Sequence, residues 1–277
     1  MRLHTPRPKR ACRPLLDAEW ARVARLGIRA LAGVMLGLCC AFARAAHPLL
    51  TEDTATQGKG NSQLELTLDA FRDRFAGDDI RGAQAAALYS YGVADPADLQ
   101  IGLPYLRVRQ DEDGSRRTRL SGINDLSLDL KWRFLERGGF SLGLKSGITL
   151  PTGDEKKFLG AGRVTWGALL IGSYEPGTVA VHSHVGYRDY RNVVGLKTSL
   201  WHFSVAATWQ AVESLKLVAD LSRDSNPVPG FSTPLDYLIV GAIWSPRKNV
   251  DLDFGYRHGA SGPALDRGVL AGVTLRW

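Results

Sequence analysis

From Asp125 to Phe134 the chain reads DLSLDLKWRF, with Leu126, Leu128, Leu130, Trp132 and Phe134 on one phase and Asp125, Ser127, Asp129, Lys131 and Arg133 on the other. In a chain that is 44% hydrophobic, ten consecutive residues keep such an alternation by chance about once in a thousand windows. A period of two sends successive side chains to opposite faces of an extended strand. The pattern recurs over residues 61–72, 83–92, 99–108, 122–134, 140–150, 162–174, 178–188, 197–210, 214–222, 235–245, 250–258 and 267–277. It predicts an all-β chain of about twelve strands.

The connections alternate too. Short links at residues 93–98, 135–139, 175–177, 211–213 and 246–249 take turns with longer polar ones at 73–82, 109–121, 151–161, 189–196, 223–234 and 259–266. Short turns at one end and long loops at the other are the pattern of a transmembrane up-and-down antiparallel β-barrel, and an even strand count leaves both chain ends at the turn side. Ten residues at a rise of about 3.4 Å, tilted about 45°, cover about 24 Å, close to the apolar band of such barrels. Aromatic residues of the apolar phase collect near strand ends. Tyr89, Tyr91, Phe140, Tyr174, Trp209 and Trp277 fall on the turn side, and Tyr105, Trp166, Tyr187, Trp201, Tyr237 and Tyr256 on the loop side, as two interfacial girdles would. A soluble sandwich or lipocalin-like barrel shares the alternation. The regular hairpins, paired belts and the leader described next favour the membrane form.

Charge is distributed unevenly. The chain has 35 Lys+Arg against 28 Asp+Glu, yet residues 1–45 hold nine basic and two acidic residues and account for the whole excess. A nucleic-acid-binding domain needs its basic face on the folded part, so no nucleic-acid partner is expected. The leader has a basic stretch to Arg29, a 13-residue apolar run from Ala30 to Phe42, and the small-x-small triplet Ala43-Arg44-Ala45. This is the form of a helical signal peptide cleaved after Ala45, and the run is shorter than the roughly 20 residues of a spanning helix. Cys12, Cys39 and Cys40 all lie in it, which leaves the mature chain without disulfides or thiolate chemistry. The expected organisation is signal peptide 1–45, an N-terminal segment 46–60, and the barrel 61–277.

On the polar phase, charges of both signs must avoid hydrocarbon, where a midplane Lys or Arg costs about 2–4 kcal/mol. The lumen-lining candidates are Asp129, Lys131, Arg133, Lys145, Arg163, His182, His184, His202, Asp220, Asp236, Asp251, Asp253 and Arg257. They would border either a narrow water-filled channel or a closed ion-pair network that fills the barrel. If the hairpin between the seventh and eighth strands folds about Val193, His202 comes opposite His182 or His184. Three imidazoles could hold Zn²⁺ or Cu²⁺, but without a supporting carboxylate or cysteine spacing they read as separate hydrogen-bonded histidines, and no metal or other cofactor is expected. A lipase-like enzyme would need a nucleophile, a base and an orienting group. No GxSxG is present, so catalysis is not expected.

Directly after the leader the chain reads AHPLLTEDTATQGKGNSQLEL, and later LKSGITLPTGDEKKFLGAG and GYR at Gly186 to Arg188. These segments resemble a group of proteobacterial outer-membrane transporters linked by name to the meta-pathway of phenol degradation. The resemblance implies outer-membrane lipid as surroundings and passive passage of a small-molecule solute, organic and aromatic classes included. Trp277 is similar to the terminal aromatic residue through which barrel-assembly machinery recognises its clients. The function expected is a channel or transporter for small organic molecules in the outer membrane of a Gram-negative bacterium. The alternative is a structural or partner-binding barrel with a filled lumen and functional loops. The segment 46–60 is too polar for lipid and starts at the open lower mouth, where it forms either a plug whose carboxylates meet Arg133, Lys145 or Arg163, or a periplasmic tail.

Overall fold

A computed structural model describes residues 47–75, 78–112 and 116–277, and the signal peptide expected over residues 1–45 lies outside the described residues. The strands are β1 (Ser62–Phe75), β2 (Asp78–Ala94), β3 (Ala97–Glu112), β4 (Arg116–Ile123), β5 (Leu126–Arg137), β6 (Phe140–Leu150), β7 (Thr165–Tyr174), β8 (Val179–Asp189), β9 (Ser199–Val212), β10 (Leu215–Asp224), β11 (Leu235–Arg247), β12 (Val250–Gly259) and β13 (Arg267–Arg276). Consecutive strands pair antiparallel, except that β4 and β5 both pair with β3; β1 also pairs with β13, and the β2–β3 pairing closes the ring. Closure leaves no long edge with unpaired N–H and C=O groups, the condition for a sheet surrounded by lipid.

The count of staves remains twelve because β4 and β5 share one. Residues Ala97–Gly102 of β3 pair with β5, whereas Tyr105–Glu112 pair with β4, and only Asn124 and Asp125 interrupt the two. The fourth strand, expected over residues 122–134, is therefore longer and broken. The polar loop expected over residues 109–121 is corrected as well: β3 continues to Glu112 and β4 begins at Arg116, so most of this charged stretch is a projecting hairpin. High polarity suggested a loop, but the outer phase of the hairpin is charged while Gln110 and Leu120 stay on its inner phase, Gln110 buried and Leu120 against the apolar cluster.

Outside, Leu66, Ile101, Leu130, Leu170, Val240 and Phe254 are exposed at mid-strand. Tyr89 packs against Trp277 at the turn end, while Trp166, Tyr187 and Trp201 form a chain of ring contacts at the loop end. Inside, the two ends differ. The loop half holds an apolar cluster that includes Leu50, Phe71, Leu106, Leu159, Tyr237 and Leu265, and a second one around Ile171, Tyr190 and Leu200. The turn half is polar.

β11 corrects the phase expected of it. Leu235, Tyr237, Ile239 and Ile243 are buried inside, and Leu238, Val240 and Trp244 face out. Tyr237 is therefore no girdle residue; its ring lies 5.4 Å beneath the Arg257 guanidinium. Asp236 is not lumen-lining, because it shares the outward face with its register partner Arg223 and binds it at 2.7 Å. Both phases of LDYLIVGAIW are apolar, so hydrophobicity alone does not orient this strand.

Candidate functional site

The interior is organised by residues 47–60, which cross it from the β10–β12 wall to the β2–β3 turn. Pro48 lies against inward Gly241 and Gly255, where any Cβ would crowd its ring. Leu49 joins Ala206, Val218 and Ile243 in a small apolar contact. The backbone N–H groups of Leu50 and Thr51 donate to one oxygen of Asp220 at 2.9 and 2.7 Å. Glu52 N–H donates to His184 Nδ1 at 2.9 Å, and Thr54 N–H to Ser173 Oγ at 3.1 Å. Farther on, Gln57 N–H meets both oxygens of Asp98, and Lys59 N–H meets Asp95. A segment with no secondary structure needs partners for its amides once buried. Inward carboxylates, hydroxyls and an imidazole of the wall supply them.

The strongest anchor is ionic. Lys131 and Lys145 are register partners on β5 and β6, and each donates to a different oxygen of Glu52 at 2.9 Å. Lys131 also reaches Asp53 at 3.0 Å. Glu52 is 2% exposed and both lysines 6% at the side chain, so the three charges are largely withdrawn from bulk water. His47 is bound to Asp253. The segment leaves the wall at GKGN, where Gly58 and Gly60 adopt positive φ of 77° and 86° and a Cβ on Gly92 would collide with the Gly58 carbonyl.

The other candidates fall into place around this segment. Asp129 faces inward opposite Gly147. Arg133 reaches Glu136 at 3.2 Å near the turn mouth. Asp251 binds Arg276 and Ser245 at 2.6 Å, and Arg257 is paired with Asp69. Arg163 departs from its expected place: β7 begins only at Thr165, and Arg163 is exposed in the connection before it. His202 also departs, lying opposite Gly186 instead of a histidine, because the hairpin register is displaced by two residues from a fold about Val193. It still meets His184 diagonally, with ring centroids 4.6 Å apart. His182 bonds Ser173 at 2.9 Å, His184 bonds Ser204 at 3.1 Å, and His202 bonds Asp224 at 2.6 Å. Among the described residues no group of three or more His, Cys, Asp or Glu is arranged to hold a metal ion.

A polar cavity of about 290 Å³ remains at the turn end, bordered by Glu52, Asp53, Gln57, Glu65, Lys131 and Arg276 among others. The part of the interior that spacing did not reveal is Glu52 with Lys131. Their positions are 79 apart, and no periodicity links a segment outside the strands to one residue of the wall.

The family model described as the MetA-pathway of phenol degradation matches residues 48–277. The chain belongs to this family. The segments that carry the resemblance have structural work in this chain. TEDT places Thr51, Glu52 and Thr54 in the buried stretch of the crossing segment. LPTGD opens a compact loop in which Asp154 caps a short 3₁₀ turn, and the neighbouring Lys157 ammonium, hydrogen-bonded to its carboxyl, holds that group below the usual carboxylate range. Asp125, at the β4–β5 break, accepts from Gly153 N–H at 3.0 Å and Ala161 N–H at 2.8 Å and so closes this loop. Arg188 of GYR is buried on the inner face of β8.

Solved structures share the fold at low identity. An outer membrane channel from Pseudomonas putida F1 is 15% identical, with 81% of this chain and 98% of that one covered and a TM-score of 0.61. The KdgM porin is 9% identical, with 77% and 98% covered and a TM-score of 0.53. The NanC porin is 6% identical, with 76% and 98% covered and a TM-score of 0.52. No curated protein sequence matches significantly.

Proposed function

We propose that this chain is a non-enzymatic outer-membrane channel for passive uptake of small organic solutes, aromatic ones included, with residues 47–60 constricting its path. The observation that carries the reading is a polar segment tied across the lumen of a closed barrel by Glu52, Lys131 and Lys145, above a 290 Å³ polar cavity and next to an apolar loop half. An apolar outer half lowers the cost of entry for a weakly polar solute, and the inner polar half lets it return to water. The apolar exterior and aromatic ends support placement in the outer membrane, with the leader as export signal, the turns in the periplasm and Trp277 as the signal read by assembly machinery.

Because the apolar clusters occupy much of the loop half, a filled structural or partner-binding barrel is the second reading. Single-channel recording in planar bilayers separates them. The full mature chain should conduct weakly, and deletion of residues 48–58 should raise both conductance and liposome permeability to phenol or benzoate. A correctly folded deletion variant that conducts no better than the parent overturns the constriction, and silence in both favours the filled barrel.

A further inference from the structure

The outward face of one sector carries an ordered set of arginines that the channel reading does not use. Arg267 is the register partner of Arg72, Arg72 of Arg81, Arg81 of Arg109, and Arg109 of Arg119. Five guanidinium groups on β13, β1, β2, β3 and β4 thus stand in one row perpendicular to the strands. At about 4.8 Å per strand the row is about 19 Å long. Its outward phase is fixed by neighbours two or four residues away on the same strands: Val269, Leu68, Tyr105 and Ile123 are all exposed.

Position along the strands matters next. Arg72, Arg109 and Arg119 each lie four residues toward the loop end from Leu68, Tyr105 and Ile123. That is about 13 Å along a strand and about 9 Å along the axis of a barrel tilted by about 45°. The step carries each arginine away from an exposed apolar residue toward the loop end, and because the row runs across strands tilted by about 45° its members are staggered by about 14 Å along the axis, spread through the depth of a headgroup layer.

Like charges directly opposite one another in a sheet are destabilising. The following row brings two carboxylates against them: Asp79 binds Arg72 at 2.7 Å and also Arg81, and Asp111 binds Arg109 at 2.9 Å and Arg117 at 2.8 Å. Arg119 and Arg267, together with Arg107 one step nearer the apolar band, form no ion pair among the described residues. A fold that sets guanidinium groups side by side with too few internal anions is complementary to external ones. The planar fork of Arg suits phosphate oxygens held in a fixed plane.

We propose that this arginine row is a docking surface for the phosphorylated glycolipid headgroups of the outer leaflet. The proposal rests on the outer-membrane placement above, with the loop end outside. It makes the β13–β4 sector a fixed lipid contact that orients the barrel and shields its row of like charges.

The test uses the full mature chain in phosphatidylcholine nanodiscs, with bisphosphorylated lipid A as probe and dephosphorylated lipid A and phosphatidylglycerol as comparators. Bisphosphorylated lipid A should bind at least tenfold more tightly than either comparator. The triple variant R107Q/R119Q/R267Q, which breaks no internal ion pair, should weaken that binding tenfold or more, while R223Q on the far wall should not. Equal binding by the triple variant, or equal affinity for phosphatidylglycerol, overturns the proposal. Neither readout involves conductance: a silent barrel that still selects lipid A counts against the channel alone, and a conducting barrel indifferent to R107Q/R119Q/R267Q counts against the lipid surface alone.

Discussion

Glu52 and Lys145 lie 93 positions apart and meet at 2.9 Å inside the barrel, both almost fully removed from water. Lys131 completes the group by taking the second carboxylate oxygen. Removing one partner from a buried ionic set costs about 3–5 kcal/mol, because the remaining charge is stranded, whereas replacing the whole set with apolar residues is often neutral. The segment 47–60 is thereby held to β5 and β6 by an all-or-none anchor.

Glu52→Gln should therefore loosen the crossing segment, because it strands the Lys145 ammonium and leaves Lys131 with Asp53 alone. The expected outcome is higher conductance and faster protease cleavage between residues 50 and 60, with the folded barrel intact. The triple change Glu52→Leu, Lys131→Met, Lys145→Met should restore the docked segment in part. Cleavage of the single variant at the parental rate would show that the anchor does not hold it.

Gly92→Ala should act on the same segment from its other end. The added methyl has no room beside the Gly58 carbonyl, and backbone cannot yield as a flexible side chain can. Displacement of the GKGN turn should lower the thermal stability of the folded barrel, read as the temperature of heat-modified mobility in gel electrophoresis. An unshifted transition would contradict the close approach.

Asp125→Ala removes the acceptor of two backbone N–H groups. Hydrogen bonds to a charged group contribute about 1.5–3 kcal/mol each, so the loop around LPTGD should open. Trypsin should then cut the purified variant at Lys156 or Lys157 at least several-fold faster than the parent, while strand content by circular dichroism stays unchanged.

Leu128→Arg or Leu252→Arg places a cation on the exposed apolar face, at about 2–4 kcal/mol near the midplane. Either should reduce the heat-modifiable, membrane-assembled fraction. Asp129→Asn, on the opposite phase of the same strand, should leave it unchanged. Equal tolerance of all three would reverse the assignment of faces.

Epitope tags inserted at residue 114 or within residues 223–234 should be labelled on intact cells. Labelling only after permeabilisation of the outer membrane would place the loop end in the periplasm and invert the topology.

Strand positions were legible because closing a lipid-facing sheet imposes a period of two on every stave, and β6 begins and ends where that period does, Phe140–Leu150. The same rule failed on β11, where the interior is as apolar as the exterior. Asp236 then looked like the inward charge, although its partner Arg223 stands outside. It failed again between residues 109 and 121, where Leu120 is the one apolar residue of the stretch and the inner phase otherwise carries polar side chains such as the buried Gln110.

Alternation and turn spacing are local properties, and from them the sequence by itself determined an all-β barrel of twelve staves with short turns at one end and longer connections at the other. The sequence offered Arg133, Lys145 and Arg163 as partners for the carboxylates of segment 46–60, and the tertiary structure chose Lys145, added Lys131, set Asp220 against the amides of Leu50 and Thr51, and aligned the outer row from Arg267 to Arg119. Those contacts depend on strand register and ring closure, which bring together positions as far apart as Arg72 and Arg267. Hydrophobic periodicity records only the face on which a side chain stands, not its neighbour across the sheet or the lumen.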